Sequence, residues 1–250
     1  MVKRRIIPTL LTDGVSLVKG ERFHSWRTVG SVVAAARVFA MRDVDELSVL
    51  DVRATAEGRA ISPRMIAEVA EAMQVPLSVG GGVTTLADFE AALRAGADKV
   101  VLGTAALDDG FVTACANRFG AQAVVVAIDV LDDGAGETAI RSGTQPTGVD
   151  AADLAMRVAA AGAGEIIVQT IGRDGTLAGM NVSSFAEVAK VVSVPVIASS
   201  GAGSYDDLLV AFETGVDAVA AGAMFQFTEQ TPKGARDYLA ARGVDVRISG

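Results

Sequence analysis

Short apolar segments rich in valine and isoleucine alternate with longer amphipathic segments along the whole chain. Apolar runs of this kind are typical of strands that are covered on both faces of a parallel sheet. Helices are predicted between them, as in 84–96, where Thr84 or Thr85 is the expected N-cap and Gly96 the expected C-cap. The predicted strands are Arg5–Leu11, Glu46–Asp51, Pro76–Val79, Lys99–Leu102, Ala123–Asp129, Glu165–Thr170, Pro195–Ser199 and Asp217–Ala221.

Eight strand–helix units in 250 residues match the size of a (β/α)₈ TIM barrel, in which parallel strands close into a barrel inside a ring of helices. A doubly wound open sheet is the alternative fold with the same alternation. No linker, charge block or low-complexity segment interrupts the pattern. We therefore predict a single α/β domain over 1–250.

An internal repeat relates the two halves of the chain. The segment that begins at Val75 aligns with the segment that begins at Val194 at a constant offset of 119 residues, shown by glycines at 82 and 201 and at 103 and 222. Glu46 and Glu165 keep the same offset. Chance rarely preserves one register across so many positions, so we predict two similar half-barrels of about 1–120 and 121–250.

Glycine-rich turns follow the predicted strands at the face of a barrel where active sites lie. Backbone N–H groups in such turns, helped by the following helix N-terminus, bind anions. Two sites on opposite sides of the barrel mouth would bind a ligand with a phosphate at each end. The alternative interpretation is that the glycines serve only to make tight turns. The turns are Gly80-Gly81-Gly82 and Gly103-Thr104 in the first half, and Ser199-Ser200-Gly201-Ala202-Gly203 and Gly222-Ala223 in the second.

Asp129 ends an apolar strand and is a candidate general acid or base, with a turn or helix cap as the alternative role. By the half-barrel repeat, its counterpart at the end of strand 1 is Leu10 or Leu11, where a reaction that uses two carboxylates would need an acid. Asp13 lies in the following loop and is the candidate replacement, although loops hold side chains less firmly than strand ends.

Two further groups of polar residues have both a functional and a structural interpretation. The loop of Asp174-Gly175-Thr176 follows strand 6 and is predicted to position a substrate or its phosphate, and a plain loop explains it about equally well. Four charged residues begin strands and are therefore expected together at the barrel bottom, where ion pairs usually serve stability. These are Arg5, Glu46, Lys99 and Glu165.

Composition excludes several classes of function. The formal net charge is -8 without a basic cluster, so neither nucleic acid nor a membrane surface is an expected partner. One cysteine and one histidine, His24 in the long loop after strand 1, cannot form a zinc site or a Cys–His dyad. The apolar run after the basic start is too short for a signal peptide, so we expect a soluble cytoplasmic protein.

Several segments along nearly the whole chain match one known family: KRRIIP, LVKG, DELSVLDVRATAEGR, VGGGV, RAGADKV, TAA, FGAQAVVVAID, PTGVDA, GAGEI, RDGTLAG and SVPVIASSGAG. In these the sequence resembles the cyclase subunit of imidazole glycerol phosphate synthase, HisF. The resemblance implies a lyase-type cyclase with a TIM barrel that binds a bisphosphorylated ligand. It also implies a glutaminase subunit at the barrel bottom, whose ammonia passes through the barrel, and no cofactor or metal.

The resemblance assigns roles to individual positions. Asp129 matches one catalytic aspartate of the family. The four charged strand-start residues match the ring at the ammonia entrance. The ligand-binding positions of the family match Lys19, Gly82, Thr104, Asp174, Gly175 and Gly201.

The chain departs from the family where the second catalytic aspartate is expected. The family has Cys-Leu-Asp on strand 1, and this sequence has Thr9-Leu10-Leu11. Loss of an acid–base group commonly costs roughly 10²–10⁴-fold in rate. An offshoot of the family that is associated with amidination of sugars for surface polysaccharides is similar in having leucine at this strand end, followed by Leu-Val-Lys, as at 17–19 here.

These observations leave three hypotheses for the function. In the first, the chain is a synthase subunit that takes ammonia from a glutaminase and uses or relays it for amination or amidination of a phosphorylated or sugar-like acceptor. In the second, it is a true imidazole glycerol phosphate synthase cyclase of histidine biosynthesis in which Asp13 replaces the missing acid. In the third, it is a non-catalytic conduit or scaffold for ammonia.

Overall fold

The computed structural model describes residues 3–131 and 136–247 of the chain. Strands and helices alternate throughout these ranges. The strands are β1 Arg5–Thr12, β2 Leu17–Glu21, β3 His24–Gly30, β4 Leu47–Asp51, β5 Leu77–Gly80, β6 Lys99–Leu102, β7 Val124–Val130, β8 Glu137–Ile140, β9 Gln145–Asp150, β10 Glu165–Thr170, β11 Val196–Ser199 and β12 Ala218–Ala221. The helices are α1 Val32–Ala40, α2 Pro63–Ala70, α3 Leu86–Arg94, α4 Asp109–Phe119, α5 Ala151–Ala161, α6 Val182–Val191, α7 Tyr205–Glu213, α8 Ala223–Phe227 and α9 Pro232–Ala240.

Eight parallel strands form a closed barrel in the order β10-β11-β12-β1-β4-β5-β6-β7. Pairing of β7 with β10, from Val125 beside Glu165 to Val130 beside Thr170, closes the ring. The predicted TIM barrel is thereby confirmed, and the open sheet is wrong because this last pairing leaves the barrel no free edge. Each of the eight predicted strands begins and ends within one residue of the observed strand.

Apolar side chains fill two separate layers of the fold. The barrel interior contains one cluster with Ile7, Val101, Val125, Ile167 and Ile197. A much larger cluster lies between the barrel and the helices. Because successive strand residues point to opposite faces, each buried strand contributes to both layers, which explains why the strands are apolar along their whole length.

The same local contacts recur 119 residues apart. Thr85 caps α3 in a capping box with Asp88, and Ser204 caps α7 in a capping box with Asp207. Ala95 rather than Gly96 is the C-cap of α3, and Gly96 follows it with a φ of +109°, as Gly215 follows α7 with a φ of +98°. Matched contacts of this kind are what a duplication would leave, and the division into half-barrels stays a prediction.

Two β-hairpins extend from the barrel and were not predicted. One is formed by β2 and β3 after the first barrel strand, and the other by β8 and β9 after the fifth. The expectation that His24 lies in a loop is wrong, because it begins β3. Strand β3 is largely exposed and carries polar residues on both faces, so it lacks the alternation by which a strand is recognised. Across the described residues, we find no helix with the length and apolarity needed to cross a membrane.

Candidate functional site

The carboxyl ends of the barrel strands surround a cavity of about 300 Å³. A smaller recess of about 50 Å³ adjoins it on the side of the second half of the chain. Leu11, Gln169 and Asp174 line both spaces and form the wall between them. The two predicted pairs of turns therefore lie on opposite sides of one continuous mouth.

The first pair of turns lines the cavity with Gly81, Gly82, Gly103 and Thr104. Packing accounts for part of this glycine content, since a Cβ on Gly82 would lie 1.9 Å from the carbonyl oxygen of Arg59. A Cβ on Gly103 would meet no atom within 4 Å, so the chain leaves open space there. The fold thus explains Gly82, whereas the open space at Gly103 leaves room for a ligand.

The second pair of turns lines the smaller recess with Gly201, Gly222 and Ala223, together with Gly175. Lys19 reaches this recess from β2, where its side chain is 14% exposed and its Nζ lies 5.2 Å from the centre of the Phe227 ring.

Gly203 was also a predicted anion-binding residue, but the structure places it away from both spaces. A Cβ on Gly203 would lie 2.3 Å from the carbonyl oxygen of Leu177, and its N–H donates to Asp207 Oδ2 at 3.0 Å. Because that N–H helps to cap α7, Gly203 does not present a free amide to a ligand.

Asp129 lies on the cavity wall at the end of β7, partly accessible from the cavity. Its Oδ1 accepts a hydrogen bond of 2.9 Å from Gln169 Nε2. Burial raises the pKa of Asp129 to about 7; the Gln169 hydrogen bond opposes the rise, and the nearby Asp174 carboxyl adds to it. A carboxyl with a pKa near neutrality can both give and take a proton, as general acid–base catalysis requires.

Asp174 is the second carboxyl of the mouth. Its Oδ1 accepts a hydrogen bond of 3.4 Å from Ser200 Oγ, and its backbone oxygen accepts the Arg22 N–H from the first hairpin at 2.9 Å. Burial raises the pKa of Asp174 to about 6, opposed by the Ser200 hydrogen bond and by the charge of Lys19. Two carboxyls in one cavity therefore titrate near neutral pH.

The strand-1 position opposite Asp129 is occupied by Leu11. Leu10 is fully buried in the outer core, whereas Leu11 lines the cavity, so alternation along β1 decides which leucine replaces an acid. Asp13 lines neither the cavity nor the recess, and its Oδ1 accepts hydrogen bonds from the N–H groups of Val15 and Ser16 at 3.0 and 2.7 Å. Burial would raise the pKa of Asp13, but the hydrogen bonds from Ser16 and Val15 outweigh it and lower the pKa below its ordinary value. The structure therefore holds Asp13 in its own turn rather than facing Asp129.

The four charged residues at the strand starts meet at the opposite end of the barrel, as the strand order predicts. Arg5 contacts Glu46 at 2.6 Å and Glu165 at 2.9 Å, and Lys99 contacts the same two carboxylates at 2.9 and 3.0 Å. Exposed fractions of these side chains run from 2 to 21%, so the ring is largely buried. It is not the solvated rim of weak surface pairs that the structural interpretation described.

Several cavity residues were missed by the sequence reasoning. Gln169 precedes the last residue of its strand, and the alternation that places Asp129 inward would also have found it. Trp26, Phe23 and Arg141 come from the two hairpins, whose strands the patterns did not reveal. Asp51 lies at the end of β4 and forms a 2.6 Å ion pair with Arg59 across the cavity wall.

Comparison with protein families and with individual proteins places this chain among known relatives. A family model described as "Histidine biosynthesis protein" matches residues 5–231. The imidazole glycerol phosphate synthase subunit HisF of Dictyoglomus thermophilum is 40% identical over 251 aligned residues, which cover 99% of this chain and 100% of that protein.

Proposed function

This chain belongs to the histidine biosynthesis protein family and is a HisF-like subunit along its whole length, and we propose that it accepts ammonia from a glutaminase partner and uses it on a phosphorylated acceptor in the barrel mouth. One observation carries this proposal: a single barrel has the closed charged ring at one end and the Asp129 cavity at the other. We also propose a cytoplasmic location, which rests on the family of the chain and not on this geometry.

The barrel interior between the two ends suits a small neutral molecule. Ile7, Val101 and Val125 line it, and an apolar lining excludes a charged ammonium ion far more strongly than neutral ammonia. Ser48 lies on the inward-facing side of β4, between Glu46 and Leu50, and its buried Oγ has no hydrogen-bond partner within the described residues. That hydroxyl offers a passing ammonia molecule one polar contact on an otherwise apolar path.

In the mouth, the acid–base chemistry would fall to Asp129 and Asp174. Asp129 has the pKa closer to neutrality and is oriented by Gln169, so it is the group that removes or returns a proton at the reacting atoms. Asp174 would serve as the second carboxyl, in place of the acid that strand 1 lacks. Leu11 lines the same cavity as both carboxyls and adds an apolar surface, which disfavours their charged forms.

Two features favour an acceptor other than that of histidine biosynthesis: Leu11 stands where an acid is expected, and hydrogen bonds hold Asp13 in its own turn. True imidazole glycerol phosphate synthase activity is the second candidate, favoured by 40% identity to a HisF subunit over the whole chain. The test is growth without histidine of a bacterial strain that lacks its own cyclase and expresses this chain. Growth that Asp129→Asn and Asp174→Asn abolish and Asp13→Asn does not would establish the second candidate, with Asp174 rather than Asp13 as the other acid.

Absence of growth would favour an acceptor other than that of histidine biosynthesis. A second experiment then distinguishes a chain that catalyses the reaction from one that only conducts ammonia. The chain is purified with candidate class I glutaminases, and stimulation of glutamine hydrolysis is measured. No binding to any glutaminase encoded near this chain would contradict the proposed ammonia transfer. Pathway output that survives Asp129→Asn but not Lys99→Glu would show a conduit without its own chemistry.

A further inference from the structure

The two carboxylates of the charged ring are held differently. Glu46 is 2% exposed and Glu165 is 13% exposed, although each contacts both cations of the ring. The half-barrel repeat pairs these two glutamates, which lie 119 residues apart. Asp45 directly precedes the first of them, and Gly164 stands at the corresponding place before the second. The first glutamate therefore has a neighbouring carboxylate in the sequence that the second lacks.

Both carboxylate oxygens of Asp45 are engaged beside the ring. Its Oδ2 accepts the Ile6 N–H of β1 at 3.0 Å, and Ile6 directly follows Arg5 in the chain. Its Oδ1 accepts a hydrogen bond of 3.3 Å from Arg236 Nη1. Asp45 is thus bonded to the start of β1 and is joined by a peptide bond to Glu46. It therefore links the backbones of two ring residues, Arg5 and Glu46, whose side chains lie 2.6 Å apart.

Arg236 of helix α9 holds Asp45 from the other side. The Arg236 side chain is 3% exposed and that of Asp45 is 5% exposed, so both charges are buried. The same guanidinium donates to the carbonyl oxygen of Asp43, and it therefore contacts the loop before β4 at two residues. A buried carboxylate that accepts from a cation and from a backbone N–H has little freedom to turn, because turning would leave a buried charge without its partner.

Two other aspartates at the barrel bottom make the same kind of contact with a strand backbone. Asp98 Oδ2 accepts the Leu77 N–H at 2.8 Å, and Asp217 Oδ2 accepts the Val196 N–H at 3.0 Å. These two contacts lie 119 residues apart, as the repeat predicts. Asp217 joins β11 to β12, and neither of these strands begins with a ring residue. The contact of Asp217 therefore resembles that of Asp45 in kind without supporting the ring.

We propose that Asp45, held in place by Arg236, is a positioning residue that fixes Arg5 and Glu46 in the charged ring. The ring is then set by contacts around it as well as by its own ion pairs. Functional side chains need such support, because displacements of more than about 0.5 Å already disturb a built site. The proposed function gives this geometry its use at the ammonia entrance, whereas the positioning itself is a property of the isolated chain.

The test measures hydrogen exchange in the isolated chain by nitrogen-15 NMR. Asp45→Asn keeps the shape of the side chain but leaves only one terminal oxygen for two donors, so exchange of the Ile6 N–H should rise about tenfold. The Lys99 ammonium donates to both ring carboxylates, and its protons should exchange about threefold faster as the ring loosens. Asp217→Asn is the matched control. It should speed exchange of the Val196 N–H and leave the Lys99 ammonium unchanged.

Arg236 supplies two further variants, which decide the question if Asp45→Asn does not fold. Arg236→Gln removes the cation and should also speed exchange of the Lys99 ammonium, whereas Arg236→Lys keeps the charge and should restore most of the wild-type protection. Unchanged Lys99 exchange in both Asp45→Asn and Arg236→Gln would overturn the inference, and a lowered melting temperature in those variants would then show a purely structural contact. These measurements need neither acceptor nor partner, so failure to bind a glutaminase would contradict the proposed function without affecting the positioning role.

Discussion

Asp129 is predicted to destabilise the folded chain above neutral pH, so that Asp129→Asn should make the protein more stable there. In the folded protein the pKa of Asp129 is raised from 3.8 to about 7, first by burial and also by Asp174. In the unfolded chain the carboxyl keeps its ordinary pKa. Between these values the folded protein binds more protons than the unfolded chain, so wild-type stability falls as the pH rises through this window. Below it both states are protonated, and the cost is absent.

The size of the effect follows from the two pKa values. At about 1.4 kcal/mol for each pH unit between them, the upper limit is roughly 4 kcal/mol above pH 7. Because Asp129 is partly accessible from the cavity, water screens it, and we expect about 1–3 kcal/mol. Titration of Asp174 over a similar range couples to this and broadens the transition.

The measurement is urea unfolding of wild type and Asp129→Asn in steps from about pH 4 to about pH 8. Asp13→Asn is the matched control with the opposite sign. Its folded pKa is lowered, so its carboxylate stabilises the protein above the ordinary pKa, and that contribution is lost as the pH falls. Asp13→Asn should therefore be less stable than wild type at about pH 8. Equal pH dependence of wild type and Asp129→Asn would refute the reasoning, as would a loss of stability in Asp129→Asn at high pH.

Three further changes test other contacts of the site and the ring. Gln169→Leu removes the 2.9 Å hydrogen bond that favours the ionised form of Asp129, so it should lower the acid dissociation constant of Asp129 about tenfold, as measured by carbon NMR titration. Asp174→Asn should raise the same constant. No change in either variant would contradict the geometry. Leu11→Asp places a third carboxyl in the mouth and should raise the pKa of Asp129. If the missing strand-1 acid limits histidine synthesis, this variant should also improve growth of the cyclase-deficient strain. Lys99→Met leaves Glu46 and Glu165 with Arg5 alone and should reduce glutamine-dependent turnover more than turnover with added ammonia. The exposed Lys190→Met is its control, and equal losses with both nitrogen sources would contradict an entrance role.

The alternation of apolar and amphipathic segments was sufficient to predict the barrel, because each strand that is covered on both faces carries its own local signature. This signature also predicted the strand ends to within one residue of the observed ones. Residues that begin parallel strands must share one end of a closed barrel, so the sequence also predicted the cluster of Arg5, Glu46, Lys99 and Glu165. The glycine turns were predicted for the same reason at the other end.

Distances across the mouth were decided only by the tertiary structure. The sequence did not distinguish Leu10 from Leu11, and the structure shows that Leu11 lines the cavity whereas Leu10 lies in the outer core. Asp13 looked able to reach inward until its own turn was seen to hold it. The two hairpins were not predicted, because β3 and β9 are largely polar and poorly buried, and their positions depend on tertiary contacts such as the Arg22 N–H with the Asp174 carbonyl and the Arg141 N–H with Thr104 Oγ1. The pKa values of Asp129 and Asp174 likewise arise from burial and mutual proximity, which no short stretch of sequence contains.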